Sequence, residues 1–181
     1  MGEEYVDESV RPGLSQRLLN RMKPILGPGT LVTAGNACFT HDGAAFVALS
    51  NTPGPFKMAD AITFAGDPLY SPEGAWQATE QLLAKTGLNM ADIDVVEWNE
   101  AFAVIDVLFE RNYKPYTDRY NRLGGALAYG HPYGCSGAII LLHLMAALDH
   151  CNGRYGICAI AGAGGMGTAM LIERMEAVKG E

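Results

Sequence analysis

The sequence lacks any cluster of basic residues and carries little charge of that sign. Of its 181 residues, 13 are Lys or Arg and 20 are Asp or Glu, which gives a net charge of −7. A nucleic-acid-binding surface needs Lys and Arg concentrated on one face, so that class of function is excluded. Hydrophobic residues make up 49% of the chain and charged residues 18%. This balance is typical of a folded globular protein and not of a disordered one.

Spacings that bind metals or direct secretion are also missing. None of the four cysteines has CxxC spacing; they are Cys38, Cys135, Cys151 and Cys158. No metal site is expected from them. The acidic start, MGEEYVDE, has no basic region followed by an apolar stretch, so we expect no signal peptide. These features together predict reduced thiols and a cytoplasmic location.

Long hydrophobic runs are scarce. The longest apolar run, 138–142, breaks at His143. A transmembrane helix needs about 20 predominantly apolar residues, so we expect no contact with a membrane.

Strand and helix patterns alternate along the second part of the chain. Strands are predicted at 59–65, 93–98, 124–128, 155–161 and 168–172. Helices are predicted from Ser71, as the N-cap, to Gly87, and at 99–109 and 137–148. This alternation predicts βαβ units, and therefore an α/β fold with a mostly parallel sheet. The helix at 137–148 is apolar almost all round, which indicates burial between two layers and contact with a partner.

The first 55 residues have weaker patterning and are punctuated by prolines. A short helix is predicted at 14–22 and a strand at 30–33, and the apolar segment 42–49 reads either as a helix or as a buried segment. We therefore divide the chain into an arm and connecting segment at 1–55 and a folded domain at 56–181.

Three polar or glycine-rich loops follow predicted strands: WNEAF at 98–102, GHPYGCSG at 130–137 and AGAGGMG at 161–167. In open α/β sheets such loops meet at one edge. Pro132 restrains the backbone of His131, whose imidazole suits proton transfer near neutral pH or donation to a developing oxyanion. The alternative is a turn histidine that caps the helix starting near Ser136. The local sequence leaves both readings open.

The other two loops also leave alternatives open. The Asn99 amide can orient a water or line an oxyanion hole, and the Glu100 carboxylate can fix a histidine. Equally, Asn99 can be a simple helix N-cap. The glycine loop, centred on Gly164, is not followed by a helix, so it is no dinucleotide-binding fingerprint. It either admits an acyl group close to its backbone amides or forms a plain hairpin.

Taken together, these motifs resemble the C-terminal half of a thiolase. The matching stretches are NEAFA at 99–103, GGALAYGHPYGCSGA at 124–138 and AGAGGMGTAMLIE at 161–173. Upstream, Asp7-Glu8, Arg11-Pro12, Lys23-Pro24, TLVTAGNA at 30–37 and DGAA at 42–45 resemble the segment that joins the thiolase loop region to its central domain. The resemblance covers nearly the whole chain. It implies a layered thiolase-like fold whose βαβαβαββ C-terminal domain occupies 56–181.

The resemblance also implies an acyl-CoA acyltransferase that uses the coenzyme A thioester as substrate and needs no cofactor. The implied reactions are acyl transfer and Claisen or thiolytic carbon–carbon chemistry on 3-ketoacyl-CoA or acetyl-CoA. His131 corresponds to the histidine that activates the nucleophilic cysteine, and Asn99 to the asparagine that holds a water in an oxyanion hole. Ala161 occupies the position of the acid/base cysteine. The residues expected to line the substrate are Ala37, Cys38, Phe102, Gly130 and Pro132, and those expected to support the site are Glu100, Cys135 and Gly164.

Two departures from the thiolase pattern shape the functional expectation. None of the four cysteines lies in a context resembling the nucleophile's, so we expect a second polypeptide with the N-terminal thiolase half to supply it, in a hetero-oligomer built on a thiolase-type dimer. The loss of the thiol at Ala161 opens an alternative, a non-catalytic acyl-CoA-binding or structural subunit. Cys158, three residues earlier on a strand, is expected on the opposite face. Cys135 is expected either to take over proton transfer or simply to pack.

Overall fold

A computed structural model of the chain describes residues 7–11 and 13–175. Residues 1–6, Pro12 and residues 176–181 lie outside the described residues, so the part of the predicted arm and of the thiolase-like upstream segment that falls on them is not addressed by the structure.

Within the described residues, four strands form one mixed sheet in the order β1-β4-β3-β2. They are β1 (Phe56–Ala65), β2 (Val95–Trp98), β3 (Tyr155–Gly162) and β4 (Met166–Arg174). β2 and β3 run parallel, whereas β4 is antiparallel to both β3 and β1. The prediction of a mostly parallel sheet is therefore wrong. A tight glycine turn joins β3 to β4, and a turn of that length can connect only antiparallel strands.

Five α-helices accompany the sheet in the described part of the chain. They are α1 (Gln16–Leu19), α2 (Gly74–Thr86), α3 (Val104–Tyr113), α4 (Ala126–Tyr129) and α5 (Ser136–Cys151). The predicted helices at 71–87 and 137–148 are confirmed as α2 and α5, and Gly87 closes α2 with a left-handed φ of 72° as expected. Ser71 is not the N-cap of α2, because it lies inside a preceding 3₁₀ turn, Pro68–Glu73.

The predicted strand at 124–128 is wrong, because residues Ala126–Tyr129 form the short helix α4. Gly130 N–H donates to the Ala126 carbonyl at 2.9 Å, which closes this turn. No strand from this segment pairs with the edge of β2 in the described residues; instead, Val96 of β2 forms one isolated parallel bridge with Tyr120. In the predicted βαβαβαββ order, α4 thus stands where the third strand was expected.

The connecting segment has less regular structure than predicted. The helix expected at 14–22 is reduced to four residues after the N-cap Ser15. The strand expected at 30–33 is reduced to a single bridge between Pro24 and Thr33. Segment 42–49 forms neither helix nor strand. Its side chains are not buried within this chain either, since Phe46 is 90% exposed and Leu49 is 84% exposed.

Apolar clusters bury both faces of the sheet. On one face α2 and α3 pack against a cluster that includes Leu82, Trp98, Phe109, Ile157 and Leu171. On the other face α5 packs against a cluster that includes Val95, Ile140, Leu144, Leu148 and Ile172. The result is a three-layer α/β/α arrangement, as the α/β prediction requires.

Helix α5 is buried on its sheet-facing side only. By length and composition alone, the stretch Tyr133–Cys151 could cross a membrane, with a mean hydropathy of 1.4, so the short run at 138–142 understated its apolar character. Only 28% of this stretch is buried within the chain. Beside it, an open apolar groove of about 380 Å³ runs between α5, segment 47–49 and strands β1, β4 and β3.

Candidate active site

Asn99 and His131 come together at the carboxyl end of β2. The Asn99 side-chain Nδ2 lies 3.3 Å from His131 Nε2 and donates to it. Asn99 is only 2% exposed, and its backbone N–H donates to the Ala159 carbonyl of β3 at 3.0 Å. Asn99 is not a helix cap, because α3 begins five residues later, at Val104. The sheet edge therefore presents a buried amide directly to the imidazole.

The imidazole of His131 is restrained on every side. Its backbone N–H donates to the Phe39 carbonyl at 2.9 Å, its Nδ1 lies 2.6 Å from Ser136 Oγ, and the Tyr133 ring stacks on it with centroids 4.5 Å apart. Because the Asn99 amide donates to Nε2, the neutral ring carries its proton on Nδ1 and donates it to Ser136. Burial lowers the pKa of His131, so the proton-accepting form dominates at neutral pH. The ring bonds the side chain at the start of α5 and not its backbone amides.

Segment 36–43 holds the two loops together. An isolated bridge pairs Ala37 with Phe102 and another pairs Thr40 with His131. The Cys38 backbone N–H donates to the Ala101 carbonyl at 3.0 Å. Burial raises the pKa of the Cys38 thiol, so that thiol is neutral at physiological pH. The structure therefore brings three of the predicted substrate-lining residues next to the Asn99–His131 pair.

The remaining predicted lining residues shape the backbone around His131. Gly130 has φ 92°, and a Cβ there would come within 2.6 Å of His41 Cβ, so only glycine fits. Pro132 and Cys135 both pack against Gly43, with Cys135 Sγ 3.2 Å from the place a Cβ would occupy. Of the two roles expected for Cys135, this contact supports packing.

One interpretation of the sequence was that the Glu100 carboxylate fixes the histidine, but its hydrogen-bond partners are other residues. The carboxylate accepts from Asn121 Nδ2 at 2.7 Å and from Leu127 N–H at 3.3 Å. It therefore anchors α4, the turn that leads to His131. Together with burial, the Glu100 carboxylate raises the pKa of Asp106, and Asp106 accepts a hydrogen bond from the Tyr120 hydroxyl at 2.7 Å.

Ala161 and the glycine loop contact residues other than Asn99 and His131. Ala161 packs on the α2 face of the sheet and Cys158 on the α5 face, so the two lie on opposite faces as predicted. Burial raises the pKa of the Cys158 thiol to about 12, which makes it a poor acid or base at neutral pH. Gly164, with φ 84°, lies in a turn whose Gly165 N–H donates to Ser71 Oγ at 3.0 Å. No described contact joins Ala161 or Gly164 to the Asn99–His131 pair.

Three residues at or beside the site were not anticipated from the sequence. The contact of Ser136 could have been predicted from its position, because a serine at the start of a helix, five residues after the histidine, can reach the imidazole. Asn121, which binds Glu100, stands alone between Tyr120 and Arg122 and has no such signal. Glu97 lies on β2, two residues before Asn99, and is 1% exposed. Burial, with the nearby Glu100 charge, raises its pKa to about 8.

The fold and this site define a layered α/β domain with a paired histidine and amide at one sheet edge. The chain belongs to the thiolase family, since residues 56–174 match the family described as "Thiolase, C-terminal domain". It is 38% identical over 176 residues to the putative acetyl-CoA C-acetyltransferase VraB of Staphylococcus haemolyticus, covering 93% of this chain and 45% of that protein. It is 36% identical over 183 residues to the cytosolic acetyl-CoA acetyltransferase of Rattus norvegicus, covering 95% and 46%.

Solved structures agree with this assignment. Human mitochondrial 3-ketoacyl-CoA thiolase superposes with a TM-score of 0.82 at 30% identity, covering 94% of this chain and 45% of that one. The Bacillus anthracis acetyl-CoA acetyltransferase superposes with a TM-score of 0.84 at 28% identity, covering 93% and 45%. The predicted family and fold class are therefore confirmed. The chain spans about half the length of the relatives it matches.

Proposed function

We propose that this chain contributes the histidine and asparagine of an acyl-CoA acyltransferase site, while a second polypeptide with the N-terminal thiolase half supplies the nucleophilic cysteine. The observation that carries the proposal is the part-buried Asn99–His131 contact of 3.3 Å at the edge of a thiolase-type sheet. Acyl-CoA as the substrate class is supported by the relatives named acetyl-CoA acetyltransferases. It is further supported by a human 3-ketoacyl-CoA thiolase solved in complex with CoA, with a TM-score of 0.83.

In this proposal the incoming cysteine thiol displaces the Asn99 amide from His131 Nε2. That nitrogen takes the thiol proton, and the thiolate attacks the thioester carbonyl carbon. The protonated ring and a water held by the Asn99 amide then stabilise the oxygen that gains negative charge. The imidazolium returns its proton to the departing CoA thiolate, which leaves an acyl-cysteine and free CoA. The Nδ1–H donates to the Ser136 hydroxyl oxygen, which holds the ring in place while Nε2 exchanges protons. Such general-base assistance contributes about 10²- to 10⁴-fold.

Ala161 favours a second candidate function, a non-catalytic acyl-CoA-binding or structural subunit. A methyl group cannot take the proton that the acid/base thiol takes in the family pattern, so Claisen and thiolytic steps lose about 10²- to 10⁴-fold. In the first candidate, by contrast, acyl transfer to the nucleophile needs no group at this position and survives the loss of the thiol.

The proposed partner is supported by the apolar surface that this chain leaves uncovered. The groove beside α5 is bordered by Leu49, which is 84% exposed, and Met58, which is 55% exposed. Contiguous apolar surface of this kind marks interaction sites. We further propose a reducing, cytoplasmic setting, in which the four cysteines stay free thiols.

Two assays on the chain co-expressed with an N-terminal thiolase half separate the candidates. Exchange of labelled CoA into acetyl-CoA reports acyl transfer, and cleavage of acetoacetyl-CoA by CoA reports thiolytic chemistry. We expect the complex to catalyse exchange with weak thiolysis, and A161C to raise thiolysis.

CoA binding without exchange, in both the wild-type and the A161C complex, would favour the binding-subunit candidate. Full thiolysis before the substitution would show that another group does the work of the missing thiol. Exchange catalysed by the isolated chain would sink the requirement for a second polypeptide.

A further inference from the structure

The outer edge of β2 is closed by a side chain. Asn121 Oδ1 accepts from the Trp98 backbone N–H at 2.9 Å, and Asn121 Nδ2 donates to the Trp98 carbonyl at 3.0 Å. The Asn121 backbone N–H donates to the Val96 carbonyl at 2.9 Å. The amide thus pairs with both backbone groups of Trp98, as a residue of a neighbouring strand would. It fixes the backbone immediately before Asn99.

The same amide is tied to the other half of the site. Asn121 Nδ2 also donates to Glu100 Oε1 at 2.7 Å, and Glu100 Oε2 accepts from Leu127 N–H at 3.3 Å. Leu127 belongs to α4, which ends one residue before Gly130. A Cβ on Gly125 would collide with the Glu100 carboxylate, so the contact between this carboxylate and the α4 turn is tight.

The backbone of Asn121 is in an unusual conformation that suits its residue type. Its φ is +41°, a region that asparagine and glycine enter at lower cost than other residues. The conformation turns the chain so that the side chain reaches β2 and Glu100 together.

We propose that Asn121 is a positioning residue that sets the contact between Asn99 and His131, acting through Trp98 on one side and through Glu100 and α4 on the other. The geometric part stands without any activity. The catalytic consequence rests on the proposed function.

The geometric part is tested by NMR on the full chain, with the His131 ring nitrogens and its titration as readouts. Asn121→Gly removes the amide but keeps the left-handed backbone. The side chains that face the ring, Asn99, Tyr133 and Ser136, are unchanged. We expect the pKa of His131 to rise, because Nε2 loses the amide donor that stabilises the unprotonated ring. Asn99→Ala should raise it too.

A double substitution shows whether Asn121 acts through Asn99. In the Asn99→Ala background, Asn121→Gly should add no further shift, whereas mere loosening of the fold would act independently. Asn112→Ala is the matched control, since Asn112 also donates to a backbone carbonyl, that of Leu108 at 2.8 Å. It should leave the titration of His131 unchanged.

A folded Asn121→Gly chain with an unchanged His131 titration overturns the proposal. If that variant does not fold, Asn121→Ala is measured in the same way and decides by the same criterion. In the complex with the N-terminal half, kcat for exchange should fall about 10- to 100-fold with KM little changed, as for a small misplacement of a catalytic group. A shifted His131 titration with unchanged kcat contradicts the proposed function and leaves the positioning link intact.

Discussion

The His131 imidazole meets a different side chain at each ring nitrogen. Ser136 Oγ is 2.6 Å from Nδ1, and Asn99 Nδ2 is 3.3 Å from Nε2. The Asn99 amide donates to Nε2 and so places the proton of the neutral ring on Nδ1, and the Ser136 hydroxyl oxygen accepts that N–H and holds the ring in place. The two contacts therefore have separable consequences for the rate.

Replacing Ser136 with alanine should slow CoA exchange by about 2- to 10-fold, which corresponds to the net loss of one hydrogen bond worth about 0.5–1.5 kcal/mol. The exchange rate of the complex at saturating substrate measures this. Ser50→Ala is the control, because Ser50 is exposed and its hydrogen bonds to described residues are with Thr52 of its own turn. Equal rates for the Ser136 variant and the wild type would show that Nδ1 needs no partner.

Glu97 gives the fold a dependence on pH. Its folded pKa of about 8 lies above the ordinary value of 4.5 because the carboxyl is buried. Between these two pH values the folded state holds a proton that the unfolded state has released, so stability falls as pH rises, by up to about 1.4 kcal/mol per unit.

Glu97→Gln should therefore flatten this decline and be more stable than the wild type at pH 7.5, by roughly 1–3 kcal/mol. Urea unfolding from pH 5 to pH 8 measures it. Parallel stability curves for the two proteins over that range would contradict the buried, protonated carboxyl.

Single site residues can be predicted from the sequence when they stand inside a motif. They cannot be predicted when only contacts between distant parts of the chain bring them to the site. Asn99 and His131 stand inside recognisable stretches, so both were predicted. Asn121 is 21 residues from Glu100 and 23 from Trp98, and no local pattern announces contacts at that separation. The expected role of Glu100 was wrong for the same reason, since its partners lie at 121 and 127.

Among the elements, length and periodicity decide which predictions hold. α2 and α5 are long and periodic, so both were predicted close to their observed bounds. Residues 124–128 are too short for periodicity to decide between a strand and a helix. Their helical turn is stabilised by Glu100, which accepts from Leu127 N–H. The local sequence cannot predict this contact, because the two residues are far apart in the chain.

The packing of α2 on β4 depends on glycine. A Cβ on Gly74 would collide with the Met166 backbone carbonyl and come within 3.2 Å of Gly167 Cα. Gly74→Ala should destabilise the fold by about 1–3 kcal/mol, the usual cost of overpacking. Gly134→Ala is the control, because a Cβ there meets nothing within 4 Å. Equal unfolding midpoints for the two variants would refute this close contact.

At the scale of the whole molecule, α5 and the adjoining groove expose an apolar face on a chain about half as long as its relatives. Leu49, which lines the groove, is 84% exposed. Leu49→Lys should leave the isolated chain folded but weaken its association with the N-terminal half at least about 10-fold, as a charge buried at an interface does. Titration calorimetry measures this, with Leu69→Lys as control, since Leu69 is 85% exposed and lies outside the groove. Equal weakening by both would contradict the assigned interface.

The most direct test of the proposed site is the exchange of labelled CoA into acetyl-CoA by the complex of this chain with an N-terminal thiolase half, compared between wild type and His131→Ala. We expect exchange by the wild-type complex and a loss of about 10²- to 10⁴-fold in the variant, with the complex still assembled. Equal exchange by both complexes, or none by the wild type, would contradict the proposed site.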